Sequence, residues 1–506
     1  LAQRILIFDG AMGTNIQQYQ LTAEDYGGAK TEGCNEYLVL TKPSVIEEIQ
    51  GGFLEVGCDV IETNSFTASR LKLDEYGLGH LTKEVNLAAA QLARRLADQY
   101  STATQPRFVS GSVGPTGMLP SSDDPLLSNI TYQQLVEIFR EQSYWLIKGG
   151  VDALLIETSQ DILEVRACIT GMRKAMAEAG RRVPIQAQVS LDTSGRMLLG
   201  TDISAVMTTL VAERVDIVGL NCSTGPEHMR EPVRFLAENC PLPISTLPNA
   251  GLPLNVNGQA VYPMEPEPMA KALYEFVTEF GVNIVGGCCG NSHEHLRAIV
   301  NACRPATRAP RPIADQNVNQ KDFKQIIPPL LSSGIRSVSM QQEPAPLIVG
   351  ERVNATGSRK AKQALLADDY DTLLAIGREQ VEGGAHVLDV QVALTERTDE
   401  AEQMAILIKK LSMGLEAPLV VDTTEADVLQ AALEIAPGRV IINSINMENG
   451  RQRIEKVLPL AIEHGAAVIA LTIDAEGMGK TTERKVEIAH KIYDICVNEY
   501  DLPPSA

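Results

Sequence analysis

Three cysteines stand where their sulfurs could act together. Cys222 closes the run GLNC, and Cys288 and Cys289 stand side by side in GGCCG; each follows a short stretch of Val, Ile and Leu. Thiolates are soft ligands suited to zinc, and three of them leave the fourth tetrahedral position open to an incoming group. A free thiol, with a pKa near ~8.5, is barely ionised at neutral pH. On a thiolate-rich zinc a substrate thiol would lose its proton and still be electron-rich enough to attack. Gly286, Gly287 and Gly290 flank the adjacent pair and would let the backbone turn sharply enough to aim both at one point.

Spacing alone leaves plainer readings open. A cysteine at a strand end is commonly a small buried apolar residue, and Cys34, Cys58, Cys168, Cys240, Cys303 and Cys496 are read that way. A zinc site can also be structural, although such a site would call for a fourth protein ligand. His293 and His295 follow the cysteine pair but fall at an apparent helix start, which favours a surface or supporting role over ligation.

A second series of polar residues recurs further along. Asp389 in LDVQ, Asp422 in VDTT, Asn443 in INSIN and Asp474 in TID each end a β-rich run. Any one of them could be no more than a cap for the next helix. Four in series suggest a shared rim of hydrogen-bonding groups.

The elements that must position these residues alternate regularly. Eight β-rich segments precede residue 303: 5–10, 60–66, 107–114, 153–159, 184–191, 216–223, 243–250 and 282–290. Most are continuous runs of Val, Ile and Leu, as expected of strands buried on both faces. Helical patterns such as 86–98 and 134–148 lie between them. Eight strand–helix pairs predict a (β/α)8 TIM-type barrel over 1–303, with Cys222 ending strand six and Cys288 and Cys289 ending strand eight, where such barrels carry their chemistry. Even-numbered strands two apart share one side of the barrel mouth, so the three sulfurs could converge.

Residues 304–345 are rich in Pro, Gln and Ser and read as an interdomain linker. The alternation restarts over 346–506, with strand candidates at 347–354, 386–392, 418–424, 439–446 and 467–474. Five parallel strands cannot close a barrel. The expected fold is therefore α/β, two TIM-type barrels in tandem, the second incomplete at its C-terminus.

Composition narrows the function. With 44 Lys+Arg against 64 Asp+Glu the net charge is −20, which repels phosphate backbones and anionic lipid and argues against nucleic acid or a membrane as partner. No apolar run approaches the ~20 residues that span a bilayer. Nine scattered cysteines do not form a disulfide framework, so a reduced, cytoplasmic protein is expected. The chain opens at Leu1 with neither an initiator Met nor a charged-then-apolar leader, which predicts no signal peptide and residues missing before Leu1.

The GLNC and GGCCG segments, with FDGAMGT at 8–14, ETNSF at 62–66, VGPTG at 113–117 and ETSQD at 157–161 in the same order, resemble the homocysteine methyltransferase family. That resemblance implies Cys222, Cys288 and Cys289 as zinc ligands activating the substrate thiol. It makes Glu157 the candidate partner of the homocysteine ammonium, and the turn Asp9, Gly10, Met12, Gly13 and Thr14 the candidate for its carboxylate. The segment GERVNATG at 350–357 resembles the start of pterin-binding barrels, the dihydropteroate synthases and methyltetrahydrofolate methyltransferases. This implies Glu351, Asn354, Asp389, Asp422, Asn443 and Asp474 around a folate; Gln391 departs from the pattern, since relatives commonly carry Asn there.

The order homocysteine barrel, linker, pterin barrel resembles the cobalamin-dependent methionine synthase family. It implies methyl transfer from 5-methyltetrahydrofolate, by way of cobalamin, to zinc-activated homocysteine, giving methionine and tetrahydrofolate. Cobalamin would be bound outside this chain, by a further module or a separate corrinoid protein. One alternative stays open: a cobalamin-independent homocysteine S-methyltransferase with an accessory folate-binding module.

Overall fold

The computed structural model describes residues 4–256, 259–311, 313–315 and 329–506. Two compact units emerge. The first comprises Leu1–Pro120, Asp124–Leu199 and Val215–Gln316; the second comprises Ser121–Asp123, Gly200–Arg214 and Asn317–Ala506.

The first unit contains the expected eight parallel strands: Leu6–Ile7, Val60–Glu62, Phe108–Val113, Ala153–Ser159, Ile185–Val189, Ile217–Asn221, Ile244–Leu247 and Ile284–Val285. Each pairs with its neighbours in sequence, and strand eight pairs with strand one through Leu6↔Ile284. Phe8 bridges to Val60 and closes the ring. All five residues of strands five and six are buried, the double-sided burial that their apolar runs predicted.

Within the barrel, Phe8, Val60, Leu155, Ile217, Leu247 and Ile284 form an apolar layer. Gln186 Nε2 and Gln188 Nε2 donate to Ser245 Oγ at 3.0 and 2.5 Å. The outer helices carry apolar stripes at helical spacing, as in Val85, Ala89, Leu92, Ala93 and Leu96 of Thr82–Tyr100. Their ends are marked in sequence: Thr131 and Gln134 form a capping box at the start of Tyr132–Gly149, and Gly150 ends that helix in the left-handed conformation.

Strand eight is far shorter than the run 282–290 suggested. After Val285 the chain must pass close to its neighbours, and side chains cannot be accommodated. A Cβ on Gly286 would lie 2.8 Å from Phe8 and Leu247 atoms, and one on Gly287 would lie 2.4 Å from Asn291. The glycines therefore bend the backbone out of the sheet just before the cysteine pair. A hairpin of Leu254–Val256 and Gln259–Val261, inserted between strands seven and eight, was not foreseen, although Leu254 and Val256 alternate with Asn255 and an Asn-Gly pair separates the two runs in the sequence.

The second unit holds five parallel strands in sequential order: Val349–Asn354, Val387–Gln391, Leu419–Asp422, Ile441–Met447 and Ala467–Asp474, with a short antiparallel Gly477–Met478 beside the last. Among the described residues this sheet does not close. Helices such as Glu400–Gly414 and Ala426–Ile435 bury Leu407, Ile408, Leu411, Leu429 and Leu433 against it. Inside the proline-rich stretch read as a linker lies a hairpin, Leu330–Ser332 with Ser337–Ser339. Its Leu331, with Met340, packs under Val387, Val420, Ile441 and Ala467.

Candidate active site

Three loops at the C-terminal ends of strands six, seven and eight are tied to one another by backbone bonds. Cys222 N donates to Leu247 O at 3.1 Å, Cys288 N to Pro248 O at 2.9 Å, and Ala250 N to Cys289 O at 2.9 Å. Asn249 Oδ1 accepts from Cys289 N at 3.0 Å. This frame brings the sulfurs of Cys222, Cys288 and Cys289 within 4.8 Å of one another, with Cys222 and Cys289 3.9 Å apart. Hydrogen bonds from Cys222 and Cys288 hold the Cys289 thiol far below its ordinary range, at about 3. A trio of thiols sharing its charge in this way is a donor set that fits zinc.

The sulfurs open into a pocket of about 230 Å³. Its wall includes Asp9, Gly10, Met12, Gly13, Thr14 and Glu157, so every homocysteine-side residue singled out in the sequence faces the same space. Glu157 is buried, accepts from Ser112 Oγ, and receives Asn221 Nδ2 at 3.2 Å. Burial raises its pKa to about 7, and the negative Cys289 adds to the shift. Asp9 Oδ2 accepts from Glu62 N at 3.0 Å, while its Oδ1 is buried without a hydrogen-bond partner. Burial holds the carboxyls of Asp9 and Glu62 well above the usual range, and each of them feels Glu157. The pocket thus gathers carboxyls with no lysine, arginine or histidine among its described lining residues. Thr14 serves the frame: its Oγ1 accepts from Gly290 N at 3.3 Å.

Sequence reasoning missed Glu62, Asn221, Ser112 and Thr158 as lining residues. Glu62 and Asn221 sit inside the ETNSF and GLNC segments, so a signal was present. Tyr262 was also missed; it packs on Gly290, and its hydroxyl is among the groups that lower the Cys289 pKa. His293 and His295 take supporting places. His295 completes a capping box with Ser292 and bonds Met264 O at 2.8 Å, and His293 bonds Ile49 O at 3.0 Å.

In the second unit Asn354, Asp389, Asp422 and Asn443 come together at the strand ends. Asn354 Nδ2 lies 2.9 Å from Asp389 Oδ2 and 3.4 Å from Asp422 Oδ2, and Asn443 Nδ2 lies 3.3 Å from Asp389 Oδ1. Asn354 Oδ1 accepts the amides of Thr356 and Gly357, fixing the turn of the GERVNATG segment. Burial raises the carboxyl pKa of Asp389, and it raises that of Asp422, with help from Asp389, to about 6. Glu351 is exposed and contributes only its charge to this pair. Asp474 is bound elsewhere: its carboxylate pairs with Arg484 at 2.5 Å and accepts from Glu476 N at 3.1 Å. Arg453, not singled out in the sequence, donates to the carbonyls of Ser444, Thr424 and Thr423 at 3.1, 2.5 and 2.5 Å.

The sequence pattern described as homocysteine S-methyltransferase matches residues 6–303. The chain belongs to the homocysteine S-methyltransferase family. A second pattern, pterin binding enzyme, matches residues 350–506. The chain is 38% identical over 509 residues to the methionine synthases of Mycobacterium leprae (strain TN) and Mycobacterium tuberculosis (strain ATCC 25618 / H37Rv), aligning along 100% of its own length and 41% of theirs. It therefore spans about two fifths of the curated relatives it matches. Among solved structures, the metallated homocysteine methyltransferase MmuM from Escherichia coli aligns with a TM-score of 0.47 at 22% identity, over 59% of this chain and 96% of that one. No helix among the described residues is long and apolar enough to cross a membrane.

Proposed function

We propose that this family member binds the two substrates of a cobalamin-dependent methionine synthase: homocysteine in the first unit and 5-methyltetrahydrofolate in the second. The observation that carries the reading is the three-thiol cluster opening into a pocket walled by buried carboxyls. Cys222, Cys288 and Cys289 would hold zinc, which when bound would supply an acidified yet nucleophilic substrate sulfur. The ammonium of homocysteine supplies the cation that Glu157, Asp9 and Glu62 lack. Its arrival favours the ionised form of Glu157 and anchors the amino-acid end. The turn Gly10, Met12, Gly13 and Thr14 offers polar backbone to the carboxylate.

In the second unit Asn354, Asp389, Asp422 and Asn443 suit the donors and acceptors along a pterin edge, with the charge of Glu351 beside them and Asp474 held apart by Arg484. The chemistry that cobalamin supplies is methyl carriage between the two substrates, and a further module or a separate corrinoid protein would bind it. A reduced, cytoplasmic setting matches nine free cysteines.

The test uses the full chain, reconstituted with zinc. Supplied with methylcobalamin and L-homocysteine, it is expected to form methionine, and titration with 5-methyltetrahydrofolate is expected to show saturable binding. Methionine formation that needs neither zinc nor methylcobalamin but proceeds from a sulfonium donor would overturn the reading.

A further inference from the structure

Asn221 ends strand six directly before Cys222 and is 1% exposed. One side chain touches both halves of the pocket. Its Oδ1 accepts from Thr158 N at 2.8 Å, and its Nδ2 faces Thr158 Oγ1 at 3.0 Å, Glu157 Oε2 at 3.2 Å and Cys288 Sγ at 3.9 Å. A carboxylate oxygen and a cluster sulfur thus lie within the reach of a single amide nitrogen.

The backbone it holds is strained. Thr158 has φ +57°, and Cys222 and Ser223, next in the chain after Asn221, have φ +57° and +63°. L-residues seldom adopt this region, and a β-branched threonine least of all. Such conformations persist where the surroundings over-determine them. Strand four also breaks register between Ile156 and Ser159, and a bulge of this kind re-aims the side chains within it; here those are Glu157 and Thr158. From the end of strand six, two strands away, Asn221 fastens that bulge through both the amide and the hydroxyl of Thr158.

We propose that Asn221 is a positioning residue that sets the separation between the Glu157 carboxylate and the cysteine cluster. It thereby selects a thiol amino acid with two methylenes between its α-carbon and sulfur over one with a single methylene. The proposal rests on the reading above, in which Glu157 takes the ammonium and the three thiols hold zinc. A substrate bound at both ends is measured by the distance between its anchors. If that distance is fixed, the shorter molecule can reach only one of them; if the strand-four bulge relaxes, both lengths bind.

The test compares the zinc-loaded full chain with Asn221→Ala and Asn221→Asp. The aspartate keeps the size of the side chain and an oxygen for Thr158 N, but loses the donor toward Glu157 and Cys288, so it separates loss of the link from collapse of the turn. Zinc per chain is measured by metal analysis, and the affinities for L-homocysteine and L-cysteine by calorimetry. Expected is unchanged zinc content, homocysteine affinity lowered at least ~10-fold, and a smaller preference over cysteine, since one methylene is commonly discriminated by roughly 10- to 200-fold. An unchanged preference ratio in both variants, or zinc lost from both, would overturn the proposal. Failure of the unaltered chain to take up zinc or homocysteine would sink the underlying reading, and the proposal with it.

Discussion

At the scale of single residues, the cysteine trio and the carboxyls around it differ in how openly the sequence displays them. Cys288 and Cys289 are adjacent and Cys222 ends an apolar run, so a strand count was enough to predict convergence. Asn221, Glu62 and Ser112 matter through bonds that cross from one strand to another, such as Ser112 Oγ to Glu157, and no local pattern encodes those. Replacing any one of Cys222, Cys288 or Cys289 by serine removes a soft ligand from a three-ligand site. The loss in zinc affinity is expected to exceed the roughly 10- to 100-fold typical of outer-shell changes, with folate binding in the second unit unaffected. Metal analysis after dialysis and a folate titration on the same sample check both halves of that statement, and full zinc retention in any of the three variants contradicts it.

At the scale of elements, the loops that follow the strands carry the site, and two side chains, one buried and one half-buried, hold such loops in place. Glu164, in the first turn of Ile162–Ala179, accepts from Thr116 N and Thr116 Oγ1 through one oxygen, while the other is buried without a partner. Burial raises its pKa to about 7. A carboxyl whose folded pKa is raised binds more protons folded than unfolded. Its contribution to stability is therefore highest below the unfolded value near ~4.5, falls as pH rises from there to about 7, and is level beyond. Glu164→Gln keeps an oxygen for Thr116 and cannot ionise. Relative to the unaltered chain it is expected to gain on the order of a few kcal/mol between pH 4.5 and 8, read from denaturant melts at the two pH values. A pH-independent difference would show that Glu164 is not a buried acid of raised pKa.

Arg453 performs a comparable task in the second unit. It ties the carbonyls of Thr423 and Thr424, beyond Asp422, to that of Ser444, beyond Asn443. Arg453→Ala strips donors from these carbonyls at a cost of about 1–3 kcal/mol and lets the two strand ends drift apart. Folate affinity is expected to fall about 10-fold or more, while Arg453→Lys, able to reach some of the carbonyls, recovers part of it. Equal affinity in all three proteins would remove Arg453 from the account. This role was not legible beforehand, because an arginine early in a helix reads as solvated surface. The strands themselves were legible from their apolar runs. Their true ends were not, since tight approaches at Gly286 and Gly287 cut strand eight short.

At the scale of the whole molecule, the sequence announces two α/β units through a single restart of the same alternation, and each builds a core from its own residues. The Phe8, Val60 and Leu155 layer belongs to the closed barrel, while Val353, Leu388 and Val421 belong to the second sheet. Less legible was the hairpin Leu330–Ser332 with Ser337–Ser339, because its three-residue strands are too short to show alternation among prolines and glutamines. The homocysteine-side groups lie entirely in the first unit and the pterin-side groups entirely in the second. Substitutions that share no partners usually add within about 0.5 kcal/mol. Asp422→Ala removes one of the two carboxylate acceptors of Asn354 Nδ2, leaving Asp389, and is expected to weaken 5-methyltetrahydrofolate binding by about 1–3 kcal/mol. Zinc content and methylation of homocysteine from supplied methylcobalamin should be unchanged. Combined with Glu157→Gln, which is expected to weaken homocysteine binding by a similar amount, the double variant should carry the two losses unaltered, each on its own ligand. Titrating both ligands against the two single variants and the double variant measures the coupling directly. A folate loss that grows when Glu157 is changed, beyond about 0.5 kcal/mol, would mean that the two sites sense one another and that the units do not act as independent binding bodies.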